Sequence, residues 1–170
     1  MIPNTPRRNT HVIDWWRRVN AGNGTIDDAI VWWYDQLDAA DDEGVCSTRG
    51  KSLMLMQELH PGYIAYYNAI HDQIVQFRDR ADRDYQKLYM SVFGSYGEKA
   101  PSNVAMTKRQ METFARTDPS VEAAFALLEN LQQLDRRYQT ILKALDAKGF
   151  TLRNLLELHK HGLTEVEVSD

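Results

Sequence analysis

The chain has 170 residues, of which 43% are hydrophobic and 26% charged, with one cysteine and a formal net charge of −4. This composition is ordinary for one soluble domain. It excludes an internal disulfide, a multi-cysteine zinc site and a surface uniformly positive for duplex DNA. No segment approaches the roughly 18 apolar residues of a membrane span, and the N-terminus lacks the apolar region of a secretory signal. We therefore expect a cytoplasmic protein that does not contact membranes.

Charge is distributed unevenly along the chain. Residues 1–50 carry 5 basic and 8 acidic side chains, residues 51–162 carry 15 and 13, and residues 163–170 add 3 acidic ones. These shifts indicate an N-terminal helical extension over 1–50, a helical-hairpin domain over 51–162 and an acidic C-terminal tail over 163–170. The mildly basic middle is compatible with a nucleic-acid partner.

Helical periodicity predicts an all-α fold, because strand signals are almost absent. The first helix is predicted over 25–43, where Thr25 can cap its start. Its apolar stripe consists of Ile26, Ile30, Trp33 and Leu37. A loop over 44–50 and a short helix follow, and His60-Pro61-Gly62 is expected to interrupt the chain.

Two long helices are predicted to form a hairpin beyond this interruption. The first spans 63–93 with a nearly regular heptad seam and ends at Gly94 and Gly97. A short helix with a capping box at Thr107 leads to the second long helix, which begins at Asp118-Pro119.

The end of the second long helix is predicted at Gly149, since glycine tolerates the positive φ of a helix C-terminus. Thr151 can then cap a new short helix, with Phe150 and Leu155 as its hydrophobic staple. The expected architecture is a long helical hairpin with short capped helices and an N-terminal helical extension.

The order of these features resembles that of the UvsY family, the T-even type of phage recombination mediator. The resemblance covers about residues 60–162. In order, its features are a charged long helix ending in YMSVFGSYG, a polar loop, the short helix MTKRQMETFAR, the Asp118 turn with a second long helix, and ALDAKGFTLRNLLE. The last segment is similar to the family's C-terminal signature, in which Gly-Phe ends a long helix before a short amphipathic one.

The resemblance implies a ring-forming protein without enzymatic activity, located in the host cytoplasm if phage-encoded. It would bind single-stranded DNA and help load a recombinase onto strands covered by single-strand-binding protein. The family's DNA-binding lysine and arginine precede an aromatic-aromatic-x-glycine motif. When SVFG is aligned with that motif, Gln86 and Leu88 stand at the positions of the family's lysine and arginine, with Lys87 between them. The sequence departs from the family at this point.

Cationic and aromatic side chains are concentrated near the end of the first long helix. Single-strand binders combine a cationic track with rings that stack on bases, and Arg80, Arg83 and Lys87 share one helix face. We expect Tyr85, Tyr89 and Tyr96 to lie beside these cations. The predicted DNA-binding residues are Arg78, Arg80, Arg83, Lys87, Tyr89, Lys99, Lys108 and Arg109. Because Asp79, Asp82 and Asp84 are interleaved with the arginines, a solvated face held by ion pairs is the alternative.

The leucine-rich C-terminal segment predicts self-assembly. The predicted oligomerisation residues are Phe150, Leu152, Leu155 and Leu156. Two helices alone bury these side chains with difficulty, and head-to-tail packing on neighbouring copies closes rings. The alternative is a hairpin corner that completes the core of a monomer. In the alternative function, the chain is a structural helical phage assembly protein that does not bind DNA.

No motif predicts an enzyme, a cofactor or a metal. Gly22-Asn23-Gly24 is too short for a phosphate loop and follows no strand. Glu157, His159 and His161 fall on different faces of one helix turn. Cys46 would be a nucleophile only beside a histidine placed by the fold.

Two tryptophan pairs, Trp15-Trp16 and Trp32-Trp33, stand in the N-terminal extension. Packing on the hairpin is one explanation for them, and a partner-binding surface is the other, because tryptophan is enriched at interface hot spots.

Overall fold

The structure, a computed structural model, describes residues 12–48, 52–99 and 106–161, and of 97–99 only the backbone. Its helices are α1 (Trp15–Asn20), α2 (Ile26–Asp42), α3 (Leu53–Lys99), α4 (Lys108–Arg116) and α5 (Pro119–Lys160). The described residues contain no β-strand, so the predicted all-α class is confirmed. No helix in these ranges is long and apolar enough to cross a membrane. The domain boundaries predicted near residues 50 and 162, and the tail after the second, lie outside the described residues.

Side-chain caps begin α2 and α4 at the predicted residues. The Thr25 hydroxyl accepts from the backbone N–H of Asp28, whose carboxylate accepts from the N–H of Thr25. Thr107 and Gln110 form the same reciprocal pair at the start of α4. Each pair satisfies N–H groups that the first turn of a helix leaves without partners.

The interruption predicted at His60-Pro61-Gly62 is wrong, because α3 continues through all three residues. A proline in a helix interior removes one backbone hydrogen bond and costs about 3 kcal/mol. Packing offsets this cost, since Met56 and His60 are buried before Pro61 and Tyr67 is buried after it. The helix also continues past Gly94, where its end was predicted.

The helix stop predicted at Gly149 is also wrong, because α5 continues through it and its φ is not positive. A Cβ atom at Gly149 would lie 2.6 Å from Nε2 of His60. Glycine is therefore required here for the close approach of α5 to the imidazole and not for a helix end. The Thr151 hydroxyl donates to the carbonyl of Ala147 at 3.1 Å, the bond of a helix-interior threonine instead of a cap.

The chain divides into two compact units. Unit 1 comprises Met1–Gln73 with Arg136–Asp170, and unit 2 comprises Ile74–Asp135. In each unit a stretch of α3 contacts a stretch of α5, which is the hairpin-like pairing expected from the sequence.

Unit 1 is held together by buried side chains from four helices. The Tyr138 hydroxyl of α5 donates to the backbone carbonyl of Trp33 in α2 at 2.8 Å, and both side chains are fully buried. In α1, Trp15 is buried and its ring centroid lies 6.3 Å from that of Trp32. Both tryptophan pairs therefore contribute to the packing of unit 1.

Unit 2 has its own apolar core. The buried side chains of α3 in this unit are Ile74, Phe77 and Ala81, and those of α5 are Val121, Leu128, Leu131 and Leu134. Ala115 of α4 is also fully buried, so the short helix packs onto this core. The candidate site lies on unit 2.

Candidate nucleic-acid interface

Four aromatic rings form a continuous series on unit 2, which we call the aromatic ladder. Along α3, the ring centroids of Tyr85 and Tyr89 are 6.2 Å apart, and those of Tyr89 and Phe93 are 6.3 Å apart and stacked. Phe125 of α5 extends the series, with its centroid 5.6 Å from that of Tyr85. Phe125 is 44% exposed and the other three rings are partly exposed, so part of each remains accessible to a ligand.

The ladder follows from sequence spacing. Tyr85, Tyr89 and Phe93 recur every four residues, which places them on one flank of α3. A second aromatic pair joins α3 to α4, where the centroids of Tyr96 and Phe114 are 5.8 Å apart. Single-strand binders use partly exposed aromatic side chains of this kind to stack bases.

Arg78, a predicted DNA contact, is engaged inside unit 2. Its guanidinium forms ion pairs with Asp79, at 2.7 Å, and with the buried carboxylate of Asp135. The hydrogen bond to Asp79, followed by the contact with Asp135, raises the pKa of Arg78. Because Asp135 is buried, breaking this pair would leave its charge without compensation. Arg78 is therefore part of the structure of unit 2 and is left out of the candidate interface.

The other predicted cations of α3 are separated from the tyrosines by their spacing along the helix. Arg80 is 3.7 Å from Asp84 in an exposed pair, whereas Arg83 and Lys87 are exposed and have no ion-pair partner among the described residues. Tyr85 follows Arg83 by two residues, and Tyr89 follows Lys87 by two residues. Two residues correspond to a rotation of about 200° around the helix. On a regular helix these cations and the tyrosines therefore lie on different faces of α3.

One cation that borders the rings comes from α4. Arg116 lines a surface pocket together with Tyr85 and Phe125. Arg109 precedes Arg116 by two helical turns and so shares its face, and both side chains are exposed. Lys108, also predicted, is exposed in the first turn of α4. The side chain of Lys99 lies outside the described residues.

The pocket has a volume of about 490 Å³ and is lined by Tyr85, Arg116, Val121, Glu122 and Phe125. Its base is apolar, because Val121 is only 1% exposed. Arg116 and Glu122 are both exposed at its margin, yet in the described part of the chain they pair neither with each other nor with another charge. The pocket thus offers an aromatic wall, one cation and one carboxylate.

Sequence reasoning missed three members of this surface, namely Phe93, Phe125 and Glu122. The spacing of Phe93 from Tyr85 and Tyr89 was a readable signal. Phe125 and Glu122 carried no such signal, because only the packing of α5 against α3 brings them to the tyrosines.

The predicted oligomerisation residues lie on unit 1 and differ in exposure. Phe150 is 62% exposed, and Leu155 and Leu156 are partly buried. Leu152 is only 3% exposed, so the expectation that its own subunit buries this leucine with difficulty is wrong. Because α5 is continuous, Leu152 packs into the core of its own unit.

Within the described ranges, no group of three or more His, Cys, Asp or Glu side chains is placed to hold a metal ion. No protein-family model matches the sequence, and neither a curated protein nor a solved structure matches it.

Proposed function

We propose that the protein binds single-stranded DNA along the aromatic ladder. The observation that carries this proposal is the continuous series of partly exposed rings on Phe125, Tyr85, Tyr89 and Phe93. Stacking of a base on an aromatic side chain contributes about 1–3 kcal/mol and tolerates any base. Arg109 and Arg116 supply positive charge beside the rings for the phosphates.

The acidic net charge of the chain requires that these few cations act together. In a homo-oligomeric ring, every subunit would present the same ladder and the same α4 cations to one strand. Linked weak sites of this kind bind far more tightly than one site alone. The 62% exposed ring of Phe150 on unit 1 supports such an assembly, because a large apolar side chain at the surface gains from burial against another copy.

The role in recombination rests on the resemblance to the UvsY family. The structure retains the order of long helix, short capped helix, Asp118 turn and second long helix, but lacks the turn at Gly149 that was one feature of the resemblance. We propose that the protein is a mediator without catalytic activity. Its partners would be a recombinase and a single-strand-binding protein, and it would help the first replace the second on DNA.

A titration of fluorescent poly-dT tests DNA binding. We expect saturable binding that weakens steeply as salt rises, because counterions are released from the phosphates. Replacing Tyr89 and Phe93 together by Leu keeps apolar bulk and removes two stacking surfaces. The loss should be about 30-fold or more in affinity, because each lost surface contributes about 1–3 kcal/mol.

Tyr63→Leu is the matched control, since Tyr63 is a partly buried tyrosine of the same helix but belongs to unit 1. It should leave the affinity for poly-dT unchanged. If the intact, folded protein does not bind poly-dT at any salt concentration, the mediator proposal fails and the structural assembly protein takes its place.

A further inference from the structure

We propose that the pocket beside Phe125 is a nucleobase subsite that prefers cytosine to thymine. This inference rests on the proposed binding of single-stranded DNA, and it adds a sequence preference to it. The pocket is lined by Tyr85, Arg116, Val121, Glu122 and Phe125, and its volume of about 490 Å³ lies within the usual range of small-ligand sites.

The walls of the pocket suit a flat aromatic ligand. The rings of Tyr85 and Phe125 are tilted by 48° to each other with centroids 5.6 Å apart, so they contact each other and leave no slot between them. A base therefore stacks on the exposed side of Phe125, over the apolar surface of Val121. Stacking alone accepts every base, and discrimination has to come from the polar lining.

Glu122 provides that discrimination. A carboxylate accepts hydrogen bonds and donates none, so it pairs with the exocyclic amino group of cytosine. Thymine carries a carbonyl oxygen in the same position, and two acceptors facing each other leave both without a partner. Glu122 is available for this contact, because its side chain has no ion pair within the described residues.

Arg116 complements Glu122 from the same pocket. Its guanidinium carries only donors, which match either the ring carbonyl of a bound cytosine or the adjacent phosphate. Both pyrimidines share that carbonyl and that phosphate. Arg116 should therefore strengthen binding of either base and leave the preference to Glu122.

Oligo-dC and oligo-dT of equal length test the preference by competition for the full-length protein. We expect oligo-dC to bind about fivefold or more tightly, in line with one specific base contact. Glu122→Gln should bring the two affinities together, because an amide can donate to thymine as well as accept from cytosine. Glu129→Gln is the control, since Glu129 is exposed two turns further along α5 and should keep the preference.

The results separate this inference from the proposal beneath it. If both oligomers bind equally and Glu122→Gln changes neither affinity, the subsite is overturned while DNA binding stands. If Phe125→Leu weakens both oligomers and Glu122→Gln abolishes only the preference, the subsite is supported. If neither oligomer binds, both the subsite and the DNA-binding function are overturned.

Discussion

His60 shows how one buried side chain can determine the environment of its neighbours. It is 9% exposed, its Nδ1 has no hydrogen-bond partner among the described residues, and its Nε2 lies against Gly149. Lys148, the residue before that glycine, is also buried and donates to the carbonyls of Val45 at 2.8 Å and Ser47 at 3.0 Å. Burial, followed by the charge of Lys148, lowers the pKa of His60 from its ordinary value of 6.5.

The lowered pKa makes unit 1 sensitive to acid. As the pH falls below 6.5, the pKa of His60 in the unfolded chain, the unfolded chain binds a proton at His60 more readily than the folded chain does. The free energy of unfolding therefore decreases as the pH decreases. Above that pH the contribution of His60 is constant. We expect thermal melts from pH 7.5 to 5.5 to show a larger loss of stability for the native sequence than for His60→Leu. The control His159→Leu, at an exposed position of α5, should follow the native curve; parallel curves for all three proteins would contradict the assignment.

At the scale of helices, the sequence predicted the elements better than their ends. Thr25 and Thr107 were identified correctly as caps, because a cap and its partner are three residues apart and both can be seen locally. Pro61 and Gly149 were misinterpreted as breaks. The effect of Gly149 is decided by His60 on the other long helix, and that of Pro61 by the burial of the residues around it. A single sequence contains neither piece of information.

The candidate interface could also be predicted only in part from the sequence. The three rings of α3 could be found from their spacing of four, and the cations of α4 from their composition. The helical angle between Lys87 and Tyr89 could also have been calculated, and it separates them. What could not be derived was the contact of Phe125 with Tyr85, since it depends on how α5 packs against α3.

Gly149→Ala should destabilise the protein even though alanine favours helices. The added Cβ would lie 2.6 Å from Nε2 of His60, so the buried ring would have to shift. We expect a loss of about 1–3 kcal/mol in the free energy of unfolding, measured with urea. Gly94→Ala is the control, because its Cβ would meet no atom within 4 Å. Gly94→Ala should raise the free energy of unfolding by up to about 1 kcal/mol. A similar rise for Gly149→Ala would show that no close contact exists at Gly149.

At the scale of the whole molecule, the two units differ in how the chain builds them. Unit 2 is one continuous segment, whereas unit 1 needs two segments that are far apart in sequence. The hydrogen bond from Tyr138 to Trp33 and those from Lys148 to the 44–48 turn join these two segments. Because long loops must close before such contacts form, we expect unit 1 to be the later of the two to complete its core.

Assembly belongs to this scale as well, and Phe150 gives the cleanest test of it. Phe150→Glu places a charge at a 62% exposed position, so it should not disturb the core of unit 1. We expect the molar mass measured by light scattering to decrease toward that of a monomer. Val31→Glu, at a 60% exposed position of α2, should retain the native mass. An unchanged mass for the Phe150 variant would exclude that residue from a subunit contact.

The burial of Lys148 also has a consequence for its chemistry. Acetylation of a lysine requires a neutral amine that the reagent can reach, and this amine is enclosed by the two carbonyls that accept its protons. Lys143, exposed on the same helix, is open to the reagent. Lys148 should react only during the brief intervals in which the surrounding structure opens. The ratio of the two acetylation rates, read by mass spectrometry, therefore reports how often unit 1 opens, and the native chain needs no added label for the measurement.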